Sequence, residues 1–309
     1  MNVRFLETFI WVARLRSFSA AAVRLNSTQA AVSNRIATLE RDLGTRLFER
    51  DLRDVRLTGP GRLLLERAAD IVRLTNEFRE TVSNAQTSRS TVSVGAVDMI
   101  AHTWLPLLMS RLKEEHPDVC MALSVDTSID LARQLALGEI DLGLLMGPVL
   151  DANLINVDLG EFECRWIAAS NGPFPDSPLE FKALSVLPMI TFSRDSLPHH
   201  ALLQLLDSRG IDRNTINIFN SNSVATIMKL VCDGVGTACI PPFIAQESIE
   251  RGEMRVLDVD AAMPPLRFHA VYSSRRGSQA PGMVAELAAS IASAFCPNAP
   301  MLPKPSEAA

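Results

Sequence analysis

Thr28, Gln29, Ser33, Asn34 and Arg35 fall within eight residues, at spacings that bring them to the outer, N-terminal part of one helix. Hydroxyls, carboxamides and a guanidinium arranged this way match the donors and acceptors that base edges and phosphates present in a duplex major groove. Further along, LFERDLRDVRLT carries Arg50, Arg53 and Arg56, whose planar forks suit phosphate and guanine. The usual covalent chemistries leave no comparable trace. There is no GxSxG elbow, no phosphate-binding GxxxxGK[ST] loop and no HExxH pair. His199 and His200 are adjacent, so on a helix they point apart and suit a surface better than a metal. Cys232 and Cys239 could be read as a redox pair, but core placement suits them better. No metal, cofactor or catalytic residue is expected.

The elements that must position the polar face are short helices. Phe5, Phe9, Val12 and Ala13 recur at helical spacing and give a first helix one apolar side. Ser19 is placed to cap a second, in which Ala20, Ala21 and Ala22 let a neighbouring backbone approach while Val23 and Leu25 anchor it. Asn26 and Ser27 make a break. Ser27 or Thr28 then caps a third helix, whose inner stripe is Ala31 or Val32, Ile36, Leu39 and Leu43, with Gly44 placed to end it. Two short strands around the arginine-bearing turn form a wing. Helix, tight turn, polar-faced helix is the helix-turn-helix arrangement. Double-stranded DNA is the expected partner, met by Ser27, Thr28, Gln29, Ala30, Ser33, Asn34, Arg35, Arg50, Arg53 and Arg56.

Charge supports a polyanion at this end alone. Residues 1–62 hold eleven arginines, no lysine and six acids, a net of +5, while the remainder carries −10. A chain of 309 residues is long enough for two domains with a core each. The five cysteines (120, 164, 232, 239 and 296) lack CxxC spacing and read as small core residues, not as a disulfide framework. Glu7 and Arg14 interrupt the opening apolar run, which reads as an amphipathic helix and not as a signal peptide. No apolar run reaches a membrane span, so no membrane partner and a cytoplasmic location are expected.

The stretch AAAVRLNSTQAAVSNRIATLERDLGTRLFER, followed by VRLTGPG, closely resembles the N-terminal region of LysR-type transcriptional regulators. The family pattern, AAxxLxxSQPAxSxxIxxLExxLGxxLFxR then LTxxG, is matched at Ala21, Ala22, Leu25, Gln29, Ala31, Ser33, Ile36, Leu39, Glu40, Leu43, Gly44, Leu47, Phe48, Arg50, Leu57, Thr58 and Gly61. Thr28 stands where the family usually has Ser, and Ala30 where it usually has Pro. The resemblance implies that Gln29, Ser33, Asn34 and Arg53 face DNA. It also implies a winged helix-turn-helix over 1–59, an operator with paired half-sites, a bacterial, nucleoid-associated location and RNA polymerase as a further partner.

RLLLERAADIVRLTNEFRETVSNAQ continues without Gly or Pro, and Leu64, Ala68, Ile71, Thr75, Phe78, Val82 and Ala85 step by four and three. That is a heptad seam. A linker helix and hinge over 60–89 is expected to pair with a second copy through Leu64, Ala68, Ile71, Phe78 and Val82. The resemblance agrees, and a dimer that assembles further to a tetramer is expected.

From residue 91 the rhythm changes to β-rich runs (TVSVGAV, VCMALSVD, IDLGLLM, CRWIAAS, PMITF, INIFN, TACIP, RFHAVY) alternating with helical stretches at 103–115, 128–137, 199–209, 223–233, 242–250 and 282–295. This predicts an α/β body with largely parallel strands. EFECRWIAAS is expected to cross into a second lobe and RFHAVY to return. The resemblance implies a two-lobed effector domain, similar to type 2 periplasmic binding proteins, over 90–296. Lobe I is expected at about 90–161 and 267–296, lobe II at about 162–266, and a disordered tail at 297–309.

In such sheets ligands sit beyond the carboxyl ends of strands, against helix N-termini. Those positions include Asp98, Met99, His102, Thr103, Thr127, Ser128, Gly147, Pro148, Ser193, Asn222 and Ser223. Hydroxyls gathered at helix starts favour a small anionic or polar metabolite as effector. Asp98 opposes a carboxylate there, or selects an amine. An enzyme or an exported solute-binding protein fits less well than a regulator, because the catalytic motifs and an export signal are missing and the head is basic.

Overall fold

A computed structural model describes residues 2–49, 55–84, 90–274 and 279–295. The chain divides into two compact units, one running to residue 89 and taking in 136–139, the other made of the remainder. In the first unit the Asn2 side chain accepts a hydrogen bond from the Arg4 amide and starts α1 (Val3–Leu15), which buries Leu6, Phe9, Ile10 and Val12. The cap of α2 (Phe18–Arg24) is Ser17, not Ser19: its hydroxyl accepts from the Ala20 amide. The helix begins before the alanine run, so Ser19 already lies inside it. Ala21 and Ala22 are buried as expected of the close-approach side, but Val23 is 80% exposed. Phe18 and Leu25 anchor the helix instead.

Thr28 caps α3 (Gln29–Leu43) by accepting from the Ala31 amide. Val32, Ile36 and Leu39 form its buried stripe, each contributing roughly 1.5–3 kcal/mol, while Leu43 falls outside it. Gly44 ends the helix at φ +67°, a left-handed conformation that glycine adopts without a Cβ penalty. The Glu40 carboxylate then accepts from the amides of Leu47 and Phe48, fixing the start of an antiparallel bridge between Phe48 and Leu57. A Cβ on Gly61 would lie 2.2 Å from the Leu47 carbonyl oxygen, so only glycine lets the chain turn here into α4 (Gly59–Asn84). Leu64 and Ala68 pack into this unit's own core with Leu65, Ala69 and Val72. Among the described residues, the large apolar side chains that α4 leaves exposed are Leu63, Ile71, Leu74 and Phe78. The Val82 side chain, Ala85, Arg50, Arg53 and the 297–309 tail lie outside what is described.

The second unit holds two five-stranded sheets. Lobe I joins β1 (Ser90–Ala96), β2 (Val119–Val125), β3 (Leu142–Met146), β4 (Leu154–Phe162) and β10 (Leu266–Ser273) in the order β2-β1-β3-β10-β4. Around them lie α5 (Asp98–Ala101), α6 (Leu105–Glu115), α7 (Ser128–Ala136) and α11 (Ala280–Phe295). Lobe II joins β5 (Arg165–Ala169), β6 (Met189–Thr191), β7 (Ile218–Asn220), β8 (Thr237–Ile240) and β9 (Met254–Leu257) in the order β7-β6-β8-β5-β9, with α8 (Leu197–Ser208), α9 (Val224–Cys232) and α10 (Gln246–Glu250). The sheets are mixed, not largely parallel. Each pairs its crossover-linked strands in parallel and then turns antiparallel, at β3–β10–β4 and at β8–β5–β9. The antiparallel strands flank the two crossings between lobes, where the chain has to run back. One continuous apolar core spans both lobes.

Candidate functional site

On α3 the side chains of Gln29, Ala30, Ser33 and Asn34 are exposed, whereas Val32, Ile36 and Leu39 are buried. Gln29 is oriented by its neighbour helix, since the Ser19 hydroxyl donates to its Oε1 at 3.1 Å. Ser19, misplaced as a cap, thus aims a side chain of the next helix. Thr28 spends its hydroxyl on the cap, and Ser27 is half-buried in the turn. Arg35 turns away from the outer face: its Nη1 lies 3.5 Å from the Thr8 hydroxyl on α1. Arg56, on the returning side of the wing, is exposed. Its carbonyl accepts from the Glu49 amide at 2.9 Å.

In the second unit the predicted effector residues follow the carboxyl ends of β1, β2 and β3 in lobe I and of β6 and β7 in lobe II, but most are already employed. Thr103 donates its hydroxyl back to the Met99 carbonyl at 2.8 Å. Thr127, not Ser128, caps α7: its oxygen accepts from the Asp130 amide and its hydroxyl donates to the Asp130 carboxylate. Ser128 instead accepts from the Met146 amide at 3.1 Å, tying α7 to the end of β3. Ser223 caps α9 by accepting from the Thr226 amide. Met99 is buried in the core and faces no cleft. Gly147, whose amide donates to the Arg267 carbonyl, is half-buried, and Pro148, His102 and Asn222 are exposed. Ser193 takes a hydrogen bond on its carbonyl from the Ser196 amide, which sets the start of α8.

Asp98 is the exception in kind. It belongs to lobe I, yet its Oδ2 accepts from the Val224 amide of α9 in lobe II at 2.5 Å, with His102 Nε2 3.7 Å from the same oxygen. Two further histidines, His199 and His269, are buried in the second unit. His199 is buried, contrary to its expected surface position, and its Nδ1 accepts from the Asn220 side-chain Nδ2 at 2.9 Å. Burial, reinforced by the adjacent His200, holds its pKa below the ordinary value. His269, on β10, is 6% exposed, and its Nδ1 has no hydrogen-bond partner among the described residues. Burial lowers its pKa too, against the pull of the Asp158 carboxylate. The Arg267 guanidinium beside Asp158 in turn holds that carboxyl below its usual range.

A pocket of about 380 Å³ lies apart from these residues, against the two crossings between lobes, and is lined by Cys164, Trp166, Leu257, Ala261 and Met263. Cys164 is the cysteine beside Cys239, and together with burial it raises the Cys239 thiol well above its usual value. Cys232 is not part of that pair, and Cys120 is exposed on β2 instead of in a core. Among the described residues no cluster could hold a metal ion, and no helix is long and apolar enough to cross a membrane.

Residues 3–62 match the family model described as the bacterial regulatory helix-turn-helix protein, lysR family, and residues 85–292 match the LysR substrate binding domain. The chain belongs to the LysR family of transcriptional regulators. The regulator GltR of Bacillus subtilis is 25% identical over 82% of this chain and 84% of its own length. Among solved structures, a full-length OxyR from Pseudomonas aeruginosa shares the fold with a TM-score of 0.64 at 20% identity, covering 98% of this chain and 99% of that one. Full-length CbnR in complex with its target DNA shares it with a TM-score of 0.57 at 19% identity, covering 93% and 99%. These similar proteins are regulators of transcription and not enzymes.

Within this LysR-family chain the motif residues divide by task. Glu40, Gly44, Thr58 and Gly61 hold the helix-turn-helix unit together: Thr58 donates to the Arg46 carbonyl and accepts from the Gly61 amide. Gln29, Ser33 and Asn34 are exposed. In the LysR substrate binding domain the signals for His199 and His269 were weak. A lone histidine in a β-rich run such as RFHAVY reads as any other core residue until its partners are known.

Proposed function

We propose that this LysR-family regulator binds operator DNA through Gln29, Ala30, Ser33 and Asn34 of α3, supported by Ser27, Thr28, Arg35 and the wing arginines Arg50, Arg53 and Arg56. A small-molecule effector, anionic in its recognised group, modulates that binding from the cleft between the lobes of the second unit. The observation that carries the reading is the exposed polar face of α3, with Gln29 held by Ser19 and the helix start fixed by Thr28. CbnR, which shares the fold, has been captured on its target DNA.

Self-association belongs to the same reading. Ile71, Leu74 and Phe78 stand exposed along one side of α4, and a second copy of that helix would cover them. Two such heads fit an operator with paired half-sites, and pairs of dimers give a tetramer. The protein works in the bacterial cytoplasm, on the nucleoid, with RNA polymerase as its downstream partner. The domain limits proposed are 1–59, 60–89 and 90–296, followed by a tail.

The test begins by sequencing the DNA that the protein retains from its own genome. On that site Gln29→Ala should cost about 1–3 kcal/mol of binding relative to random DNA. Arg53→Ala should weaken all sequences alike and lower the salt slope by about one. An unchanged ratio of specific to random affinity in Gln29→Ala would remove α3 from the reading role.

A further inference from the structure

A glutamine has two functions to offer a base edge, a carboxamide oxygen that accepts and an NH2 group that donates. With both free it pairs with adenine, taking N6–H on the oxygen and giving an N–H to N7. In this chain one of the two is already engaged. The Ser19 hydroxyl donates to Gln29 Oε1 at 3.1 Å. Both ends of that bond are anchored by caps. Ser19 is the second residue of α2, which Ser17 starts by accepting from the Ala20 amide. Gln29 is the first residue of α3, which Thr28 starts by accepting from the Ala31 amide. Phe18 and Leu25 of α2 pack on the same core as Val32 and Ile36 of α3, so the two helix starts keep their spacing. Among the described residues nothing bonds Gln29 Nε2, and the residue is exposed. What Gln29 offers to a duplex laid on α3 is therefore its N–H donors.

We propose that Ser19 is a positioning residue that sets the base preference of Gln29: with its oxygen held, Gln29 reads guanine in place of adenine. This rests on the operator-binding reading above and names a base that reading leaves open. In the major groove guanine presents two neighbouring acceptors, N7 and O6, which fit a side chain that only donates. Adenine puts its N6–H2 donors where O6 would be. An N–H facing them is left without an acceptor once water is squeezed out, and that loss is what discriminates. Ser19 need touch no base itself, because it acts by fixing which atom of the carboxamide faces outward. Were the carboxamide turned over, with Nε2 on the Ser19 oxygen, the outward atom would be an acceptor. The preference would then pass to adenine or cytosine.

The test uses the full-length protein and a randomised duplex library, enriched in parallel on the wild type, Gln29→Ala, Ser19→Ala and Ser19→Thr. Gln29→Ala marks the base pair concerned, as the position whose preference disappears. There the wild type should favour guanine over adenine by at least about fivefold, the lower end of what a good base contact discriminates. Ser19→Ala frees the carboxamide to offer oxygen and nitrogen together, so the guanine-to-adenine ratio should fall by about fivefold. Ser19→Thr keeps the hydroxyl and should keep the guanine. Alanine is the best helix former and Ser19 is exposed, so affinity of Ser19→Ala for random duplex should stay at the wild-type value. A merely structural role would instead weaken all sequences alike and leave the ratio unmoved. An adenine preference in the wild type, an equal ratio in Ser19→Ala, or no lost position in Gln29→Ala overturns the proposal. Should the wild type enrich no sequence at all, the regulator reading fails by itself. An enriched operator that Ser19→Ala reads unaltered removes only the role of Ser19.

Discussion

The two units use their polar side chains in opposite ways. On α3, Ser33 and Asn34 stand exposed, and Gln29 is steadied by one hydroxyl without being consumed. Among the predicted effector residues of the second unit, Thr103, Thr127, Ser128 and Ser223 all spend their hydrogen bonds on the protein itself. A surface that reads a large, rigid polyanion can be displayed ready-made. A cleft for a small molecule sits at the ends of strands and helices, where the fold has its own unpaired amides to satisfy first. Hydroxyls at helix starts are thus good evidence for helix starts and poor evidence for a ligand.

That contrast can be broken at its scaffold. Gly61→Ala forces a Cβ against the Leu47 carbonyl, which should cost about 3 kcal/mol and abolish DNA binding while leaving the second unit's melting transition in place. Calorimetry on the full chain would separate the two. If both transitions fall together, the units are not independent in stability. Next in size is Phe78→Asp, which removes a large exposed apolar side chain from α4. Assembly should weaken by roughly 2 kcal/mol, the value of burying such a side chain, as seen by sedimentation. An intact oligomer would move the seam elsewhere.

Smaller effects sharpen the comparison inside the cleft. Ser223→Ala should cost about 1 kcal/mol of stability, as an N-cap does. Thr103→Val should cost about 0.5–1.5 kcal/mol of stability, because its hydroxyl serves the Met99 carbonyl, and should leave effector affinity unaltered. A large affinity loss would return Thr103 to the ligand. The pH response is the smallest. His199 is held neutral by burial, so the unfolded chain takes up its proton before the folded one does. Its contribution is complete above pH 6.5 and declines as the pH falls below that value. Denaturant midpoints at pH 7.5 and 5.5 should differ in the wild type and differ less in His199→Gln, with part of the remaining difference resting on His269.

Much of the first unit could be read in advance because helical period and capping residues are local signals. The stripe Val32, Ile36, Leu39 and the stop at Gly44 follow from spacing alone. The errors there were errors of phase. Spacing alone makes Ser19 a cap and Val23 an anchor of a helix that in fact starts earlier, and it places Leu64 and Ala68 in a seam although α4 turns them inward. In the second unit, β4 escaped notice because Asn156, Asp158 and Gly160 interrupt its apolar run, and its pairing with β10 shifts register at Phe268. The short strand β9 and the single-turn helix α5 offer too few residues for a period to show. Asp98 could be flagged as an acid near a cleft, but its bond to Val224 depends on two lobes meeting, which no local pattern encodes.

The pocket beside the interlobe crossings has a practical consequence for spectroscopy. Of the three tryptophans in the chain, Trp166 lies at that crossing, with its indole N–H donating to the Ala261 carbonyl at 2.9 Å. Trp104 is sealed in the lobe I core and Trp11 belongs to the other unit. Movement of the returning segment around Ala261 changes the polarity at one indole and leaves Trp104 in its apolar surroundings. With Trp11 replaced by Phe, a change in the emission of the native chain becomes an intrinsic optical gauge of the interlobe crossing, set against the constant emission of Trp104 and free of any attached dye.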